Sequence, residues 1–416
     1  MRGFEIAIAG CGPAGLAAAL LLARGGHHVT LYDRFAEPRP LGSGLMLQPS
    51  GMAVLAALGL AQAAFARGAP IERLLGYGAD GRKVLDARYA DLPGPPSLGL
   101  GIQRASLFER LFAAVQTEGI ALCTGHEVTG SHMTPRGRIL HFAEQADAGP
   151  FDLVVDALGL HTPLASPCGR ELPFGALWAS LPWPEPGPFD VRRLEQRYRA
   201  AREMVGVLPT GHRPGHGREL ALFWSLRGDQ YQPWLDRGLD RWRDDVAALW
   251  PDCAPLAAQI TDPAQLTMAR YAHRTLPMPA QGRMIHIGDS WHTASPQLGQ
   301  GANMALLDAW GLAEALRLGG DPASAPALAV QLRGWHVTLY QWATWLFTPM
   351  YQSDAAFPAL LRDRALAPLS QLWPGRQVQA RLMSGLLGSP LERLGLERVD
   401  YQAVAGISPV DTTGRR

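Results

Sequence analysis

The chain is 416 residues long and 47% hydrophobic, and its 38 basic and 37 acidic side chains leave a net charge of +1. That length supports two or three domains with sizeable cores. The charge balance argues against a nucleic-acid partner or attraction to an acidic membrane surface. Cys11, Cys123, Cys168 and Cys253 lie scattered with no CxxC spacing, so neither a zinc site nor a redox dithiol is signalled.

The first element is an apolar strand beginning at Ile6, and it runs into the turn Gly10-Cys11-Gly12-Pro13-Ala14-Gly15. A helix is expected from near Ala14 and a second strand over His28–Tyr32, closed by Asp33. Gly10 permits the sharp turn, Gly12 lets backbone approach a pyrophosphate, and Gly15 lets helix and strand pack closely. The helix N-terminus offers unpaired N–H groups and the positive end of its dipole to that pyrophosphate. Asp33 stands where a ribose hydroxyl needs an acceptor. This pattern predicts dinucleotide binding without choosing between NAD and FAD.

Further along, Ile71–Tyr77 and Arg82–Arg88 flank Asp80-Gly81 and read as a hairpin. Arg104 closes a strand, and Ser106 with Glu109 predicts a capping box that starts a helix. Ile120–Cys123, Glu127–Met133, Arg138–Phe142 and Phe151–Ala157 read as strands, the last buried on both faces. Between Gly169 and Leu226 come strand-like runs separated by Pro- and Gly-rich segments, and Pro233–Trp250 reads as helix. In ALFWSLR the alternate residues Leu222, Trp224 and Leu226 share one face, which lines a substrate pocket or belongs to a core. A strand then ends in Gly288-Asp289, and Gly299-Gln300-Gly301-Ala302-Asn303 opens a helix running to Leu318. On residues alone, Asp289 and Ser290 also read as helix caps. Beyond residue 323 the chain is helical, and Trp335, Leu339, Trp342 and Leu346 recur at helical spacing, expected as a core or lid-packing face, with a membrane-interfacial role as the alternative.

The N-terminal glycine turn, Gln103-Arg104 and the segment from Gly288-Asp289 to Asn303 together resemble the FAD-binding halves of single-component flavoprotein monooxygenases of the para-hydroxybenzoate hydroxylase type. The resemblance implies an α/β fold: a Rossmann-like FAD-binding domain (1–70, 98–165 and 280–322) interleaved with a β-sheet substrate domain (71–97 and 166–279), plus C-terminal helices (323–416). It implies that Asp289 holds the ribityl chain of FAD and Arg104, beside Gln103, its pyrophosphate. Arg34 and the loop Gly42-Ser43-Gly44 would wrap the adenosine and ribityl portions. Pro296 would lie beside flavin and substrate, and the N–H groups around Gly299, Gly301, Ala302 and Asn303 would face the flavin's pyrimidine edge. His292 is expected as a structural histidine rather than a base.

The implied activity is hydroxylation of an apolar aromatic or polycyclic molecule by O₂, through a flavin C4a-hydroperoxide, with NAD(P)H as reductant. A separate reductase is a further expected partner. Lys83 is the only lysine and no WxWxIP occurs, which argues against the lysine-dependent flavin halogenases. Four dispersed cysteines point to the cytoplasm, and the run Leu16–Ala23 is too short to span a bilayer. One departure stands out. Where the family carries an Asp-Gly pair followed by serine and arginine, this chain has Leu158-Gly159, then Thr162 with no arginine soon after. Asp156 lies two residues earlier on the same strand face. FAD binding survives on the other motifs, but direct nicotinamide reduction becomes doubtful. The alternative is a flavin-binding protein with lost or altered reduction, acting as a ligand-binding module or a redox-neutral enzyme.

Overall fold

A computed structural model describes residues 3–38, 43–213, 215 and 217–406. Its centre is a five-stranded sheet in the order Met284–His286, Leu153–Asp156, Glu5–Ala9, His28–Tyr32, Ala121–Cys123, with every neighbouring pair parallel. Parallel strands need crossovers that cover both faces, so their side chains are apolar throughout. Ile6, Ile8, Leu31, Leu153 and Val155 are all fully buried, and each such side chain contributes about 1.5–3 kcal/mol. The helices Pro13–Arg24 and Gly301–Gly319 pack against each other beside this sheet, the first contributing the small residues Ala17, Ala18 and Ala19.

A second sheet of seven strands runs Thr267–Ala269, Phe174–Pro182, Arg218–Arg227, Glu203–His212, Arg193–Arg199, Arg73–Gly78, Lys83–Arg88. All its joints are antiparallel except Arg193–Arg199 with Arg73–Gly78, which stitches the early hairpin onto the later strands. One face of this sheet packs on the helix Tyr231–Leu249 through a core that includes Leu222, Trp224, Trp234 and Trp242. That helix is broken at Gly238, whose φ of 80° lies outside helical space. A three-stranded sheet, Gly44–Leu47 with Gly99–Gln103 and Ala69–Ile71, joins the two halves.

Three sequence expectations are corrected. The helix after the Gly99–Gln103 strand starts at Arg104, not Ser106, with no side-chain cap. Ser106 is buried inside its first turn, so the capping-box spelling has no end to cap. Phe151–Ala157 is not one strand. It divides into Ala148–Phe151, which pairs with Gly137–Phe142, and the buried Leu153–Asp156 of the central sheet. Finally, Trp342 and Leu346 do not pack inward. The long helix Ala325–Tyr351 buries a neighbouring stripe instead: Arg333, His336, Val337, Tyr340 and Thr344. The ion pair of Arg333 with Asp308 and the bond from Tyr340 Oη to the Leu382 carbonyl fix that orientation. Among the described residues no helix is long and apolar enough to cross a membrane.

Candidate functional site

Gly10 has φ +103°, and a Cβ there would lie 2.5 Å from the Ala157 carbonyl oxygen. A Cβ on Gly15 would lie 2.0 Å from the Gly10 carbonyl. Gly12 differs from both. Its φ of −71° suits any residue, and a Cβ there meets nothing within 4 Å. It caps the Pro13–Arg24 helix, with Ala14 buried in the first turn, so the helix N–H groups face open space over Gly12. Asp33 Oδ2 accepts from the Cys11 N–H at 2.8 Å and Oδ1 from the Phe35 N–H at 3.0 Å, which pins the end of the second strand to the turn. Arg34 is exposed, its guanidinium 4.9 Å from the Phe35 ring centre. Gly42 lies outside the described residues.

Between the two sheets lies a cavity of about 760 Å³. Ser43, Arg104, Asp289, Pro296 and the Gly299–Ala302 backbone line it from the dinucleotide half. Asp289 is walled in by protein, yet its surface opens into the cavity. Enclosure raises its carboxyl pKa above the usual value, and the charges of His292 and Arg104 oppose that shift. Gly299 is left-handed, with φ 61°, and turns the chain into the Gly301–Gly319 helix. Asn303 does not reach the cavity. It is fully buried, where Oδ1 accepts from the Gln48 N–H at 2.8 Å and Nδ2 donates to the Met46 and Gly299 carbonyls. It therefore clamps the Gly44–Leu47 strand against the helix start. Gln103 is likewise structural, donating to Thr210 Oγ1 at 2.9 Å and accepting from Ser180 Oγ at 3.1 Å.

The opposite wall is aromatic. Trp178 and Phe223 stack with ring centres 4.6 Å apart, and Trp178 Nε1 donates to Tyr271 Oη at 3.1 Å. Tyr198 and Tyr351 lie 5.4 Å apart, with the Arg362 guanidinium near both rings. Burial pushes the Tyr198 and Tyr271 phenols well above their usual pKa, so both stay neutral. No histidine lines the chamber, and Asp289 is its only carboxylate among the described residues. Leu222 and Trp224 face the other way, into the helix-backed core. Both faces of ALFWSLR are apolar enough to be buried, so alternation could not say which one meets the cavity. The residue that does is Phe223.

Sequence reasoning also missed the polar support. Gln48 and Gln300 line the cavity, and Gln48 Nε2 and Gln300 Oε1 are buried without a protein partner. Buried polar atoms of this kind call for a ligand or water. Beneath Leu158, Asp156 accepts from the Leu158 N–H at 2.9 Å, Thr162 Oγ1 at 2.5 Å and Ser290 Oγ at 3.1 Å, with His286 Nδ1 2.6 Å away. This fully buried carboxylate ties the 158–162 turn to the Gly288–Ser290 turn. His292 is structural: its Nε2 lies 2.6 Å from Asp308 Oδ2, which also accepts from the Gly288 N–H. Burial works against the Asp308 charge, but His292 and Arg333 hold its pKa below the ordinary carboxylate value. Burial, then the Arg333 charge, pushes His336 down to about 2.

The residues present fit FAD: an open backbone cradle at Gly12, a helix N-terminus at Gly301, a carboxylate at Asp289 facing the cavity, and amides at Gln48 and Gln300 each with one unpartnered atom. Comparison with known proteins agrees. A family model described as FAD binding domain matches residues 4–141 and 203–322, more than half of the chain. The chain is 28% identical over 319 residues to 6-methylpretetramide 4-monooxygenase of Streptomyces rimosus, covering 73% of both chains. It is 25% identical over 390 residues to 2-heptyl-3-hydroxy-4(1H)-quinolone synthase of Pseudomonas aeruginosa, covering 92% of this chain and 98% of the relative. In fold it is similar to Klebsiella pneumoniae HpxO, solved with FAD and uric acid, at a TM-score of 0.77 and 19% identity, covering 94% of this chain and 99% of that one. The chain thus belongs to the FAD binding domain family, as a flavoprotein monooxygenase of the para-hydroxybenzoate hydroxylase type.

Proposed function

We propose that this monooxygenase hydroxylates an apolar aromatic or polycyclic small molecule held in the chamber between Trp178–Phe223 and the Gly299–Ala302 backbone. The observation that carries the reading is the cavity itself, about 760 Å³ in all, with the flavin-holding residues Arg104, Asp289, Pro296 and Gly299–Ala302 on one side and aromatic side chains on the other. Bound FAD, once reduced, supplies the oxygen activation. The chain's own residues bind and orient. Gly12 and the Pro13–Arg24 helix would receive the pyrophosphate with Arg104, Asp33 would take the ribose, and Asp289 the ribityl chain. Pro296 and the N–H groups from Gly299 to Ala302 would border the flavin ring, where the helix dipole would favour negative charge on the reduced form. The aromatic walls exclude water and stack on an electron-rich ring. Tyr271 and Gln48 offer polar anchors that fix its orientation. The test supplies O₂ labelled with heavy oxygen, NAD(P)H and a panel of fused-ring phenols. A product heavier by one labelled oxygen supports the reading, and label arriving from water sinks it.

The turn at Leu158 favours a second feature, slow reduction by NAD(P)H alone. Leu158 presents an apolar side chain, half-buried against the cluster that includes Tyr32, Phe142 and Phe151. Asp156 is consumed by four internal partners. Neither leaves a charged group free to engage a nicotinamide. Reduction then depends on bound substrate or on a separate reductase, and stopped-flow bleaching of oxidised flavin with and without substrate distinguishes these cases.

A further inference from the structure

The C-terminal helices that wall the chamber carry an apolar outer surface. Trp342 is 64% exposed, Trp345 52%, Phe357 69% and Trp373 73%, with Leu360 and Leu372 exposed beside them. Trp342 and Trp345 sit on the helix Ala325–Tyr351, Phe357 and Leu360 on Ala356–Leu361, and Leu372 and Trp373 in the loop between Ala367–Ser370 and Gly375–Met383; these elements, with the helical turn 362–366, contact one another in succession. Trp342 and Trp345 meet edge to face at 5.5 Å. Large apolar side chains exposed together on neighbouring elements mark an interaction surface.

The charges on the same segment are one-sided. Residues 355–383 hold Arg362, Arg364, Arg376 and Arg381 against a single acid, Asp363. Asp363 is bonded by the buried Arg362. Arg364, Arg376 and Arg381 are exposed and have no carboxylate partner among the described residues. The net charge of +1 concealed this, because the balance holds only over the whole chain.

We infer that this face docks on the surface of an anionic phospholipid bilayer, with the tryptophans at headgroup depth and the arginines on the phosphates. Tryptophan and arginine around exposed leucine and phenylalanine are what an interfacial surface requires. A symmetric dimer through the patch fits less well. It would bring the arginine sets of both copies together, where like charges repel. The same segment borders the chamber: Leu369 and Val378 are exposed and line the cavity. An apolar substrate dissolved in the bilayer would therefore enter without crossing water. This goes beyond the proposed reaction, and docking is read without turnover.

The experiment mixes full-length, FAD-loaded protein with vesicles of phosphatidylcholine alone or with phosphatidylglycerol, and measures co-sedimentation. Partitioning at least about tenfold stronger onto the anionic vesicles is expected, a free-energy gain of about 1.4 kcal/mol. The variant Trp345→Ser/Leu372→Ser/Trp373→Ser should lose at least about tenfold of this binding while keeping its flavin absorbance and circular dichroism. In the unaltered protein, lipids brominated near the headgroup should quench tryptophan fluorescence, which needs no variant to fold. No sedimentation with anionic vesicles would overturn the proposal. So would unchanged binding by the triple variant, or a native dimer that the same substitutions convert to monomer.

Discussion

The cofactor cradle and the substrate chamber sit side by side and are built by opposite means. The cradle is largely backbone, from the Gly10–Gly15 turn, the helix start above Gly12 and the Gly299–Ala302 segment, with the side chains of Asp33, Arg104 and Asp289 added. The chamber is made of side chains from distant stretches, with Trp178, Tyr198, Phe223, Tyr271 and Tyr351 brought together by the seven-stranded sheet and the C-terminal helices. A backbone site needs small residues at fixed spacing. A side-chain site needs only that enough apolar bulk arrive from somewhere.

The comparison can be broken most sharply at Gly12. Gly12→Leu should abolish FAD binding, because the side chain would occupy the space left for the pyrophosphate, while φ −71° and the empty surroundings leave folding intact. Equilibrium dialysis with FAD and circular dichroism check both halves. In the chamber, Phe223→Ala removes the ring stacked on Trp178 and should cost about 2 kcal/mol of stability, below the ~3–5 typical of core phenylalanines because one side already faces a cavity. FAD content should stay at one per chain while KM for a polycyclic substrate rises, as steady-state kinetics would show.

Asp289→Ala should weaken FAD binding by about 1.5–3 kcal/mol, the range for a hydrogen bond to a charged group, measurable by flavin fluorescence titration of the apoprotein. His336 supplies a pH test of the buried frame behind the cradle. Its folded pKa is pushed down to about 2 from an ordinary 6.5, so below pH 6.5 the unfolded chain takes up a proton that the native state refuses. Stability should fall as pH drops from about 7 to about 5, with this group contributing up to ~1.4 kcal/mol per pH unit below its unfolded pKa. Urea titrations of His336→Gln should show a shallower pH slope. The smallest expected effect is at Leu158. Leu158→Asp should keep FAD and speed reduction by NADPH up to about tenfold, roughly 1.4 kcal/mol off the barrier. Fast, saturable reduction of the unaltered protein without substrate would contradict this reading.

The same contrast explains what the sequence made legible. The Gly10–Gly15 turn, the strand His28–Tyr32 and the helix from Gly301 are spelled by local rules, and the structure has them within a residue. The helix start at Arg104 is not legible because Ser106 and Glu109 spell a cap wherever they occur, and burial of Ser106 overrides the spelling. The face of Phe223 cannot be told from that of Leu222 and Trp224, because a strand buried on both faces carries no polar side to set its orientation. Trp342 and Leu346 were expected inside because their spacing is helical, but a partner for Arg333 lies 25 positions away at Asp308 and turns the helix. The Asp156 cluster, joined through His286 and Ser290 some 130 positions on, carries no local signal at all.

The most direct measurement compares bound flavin in Gly12→Leu and Phe223→Ala, purified side by side and normalised to protein. A colourless Gly12→Leu with native circular dichroism, beside a yellow Phe223→Ala with one FAD per chain, is the predicted result. A Gly12→Leu protein that stays yellow at full occupancy would contradict the placement of the cofactor over that turn.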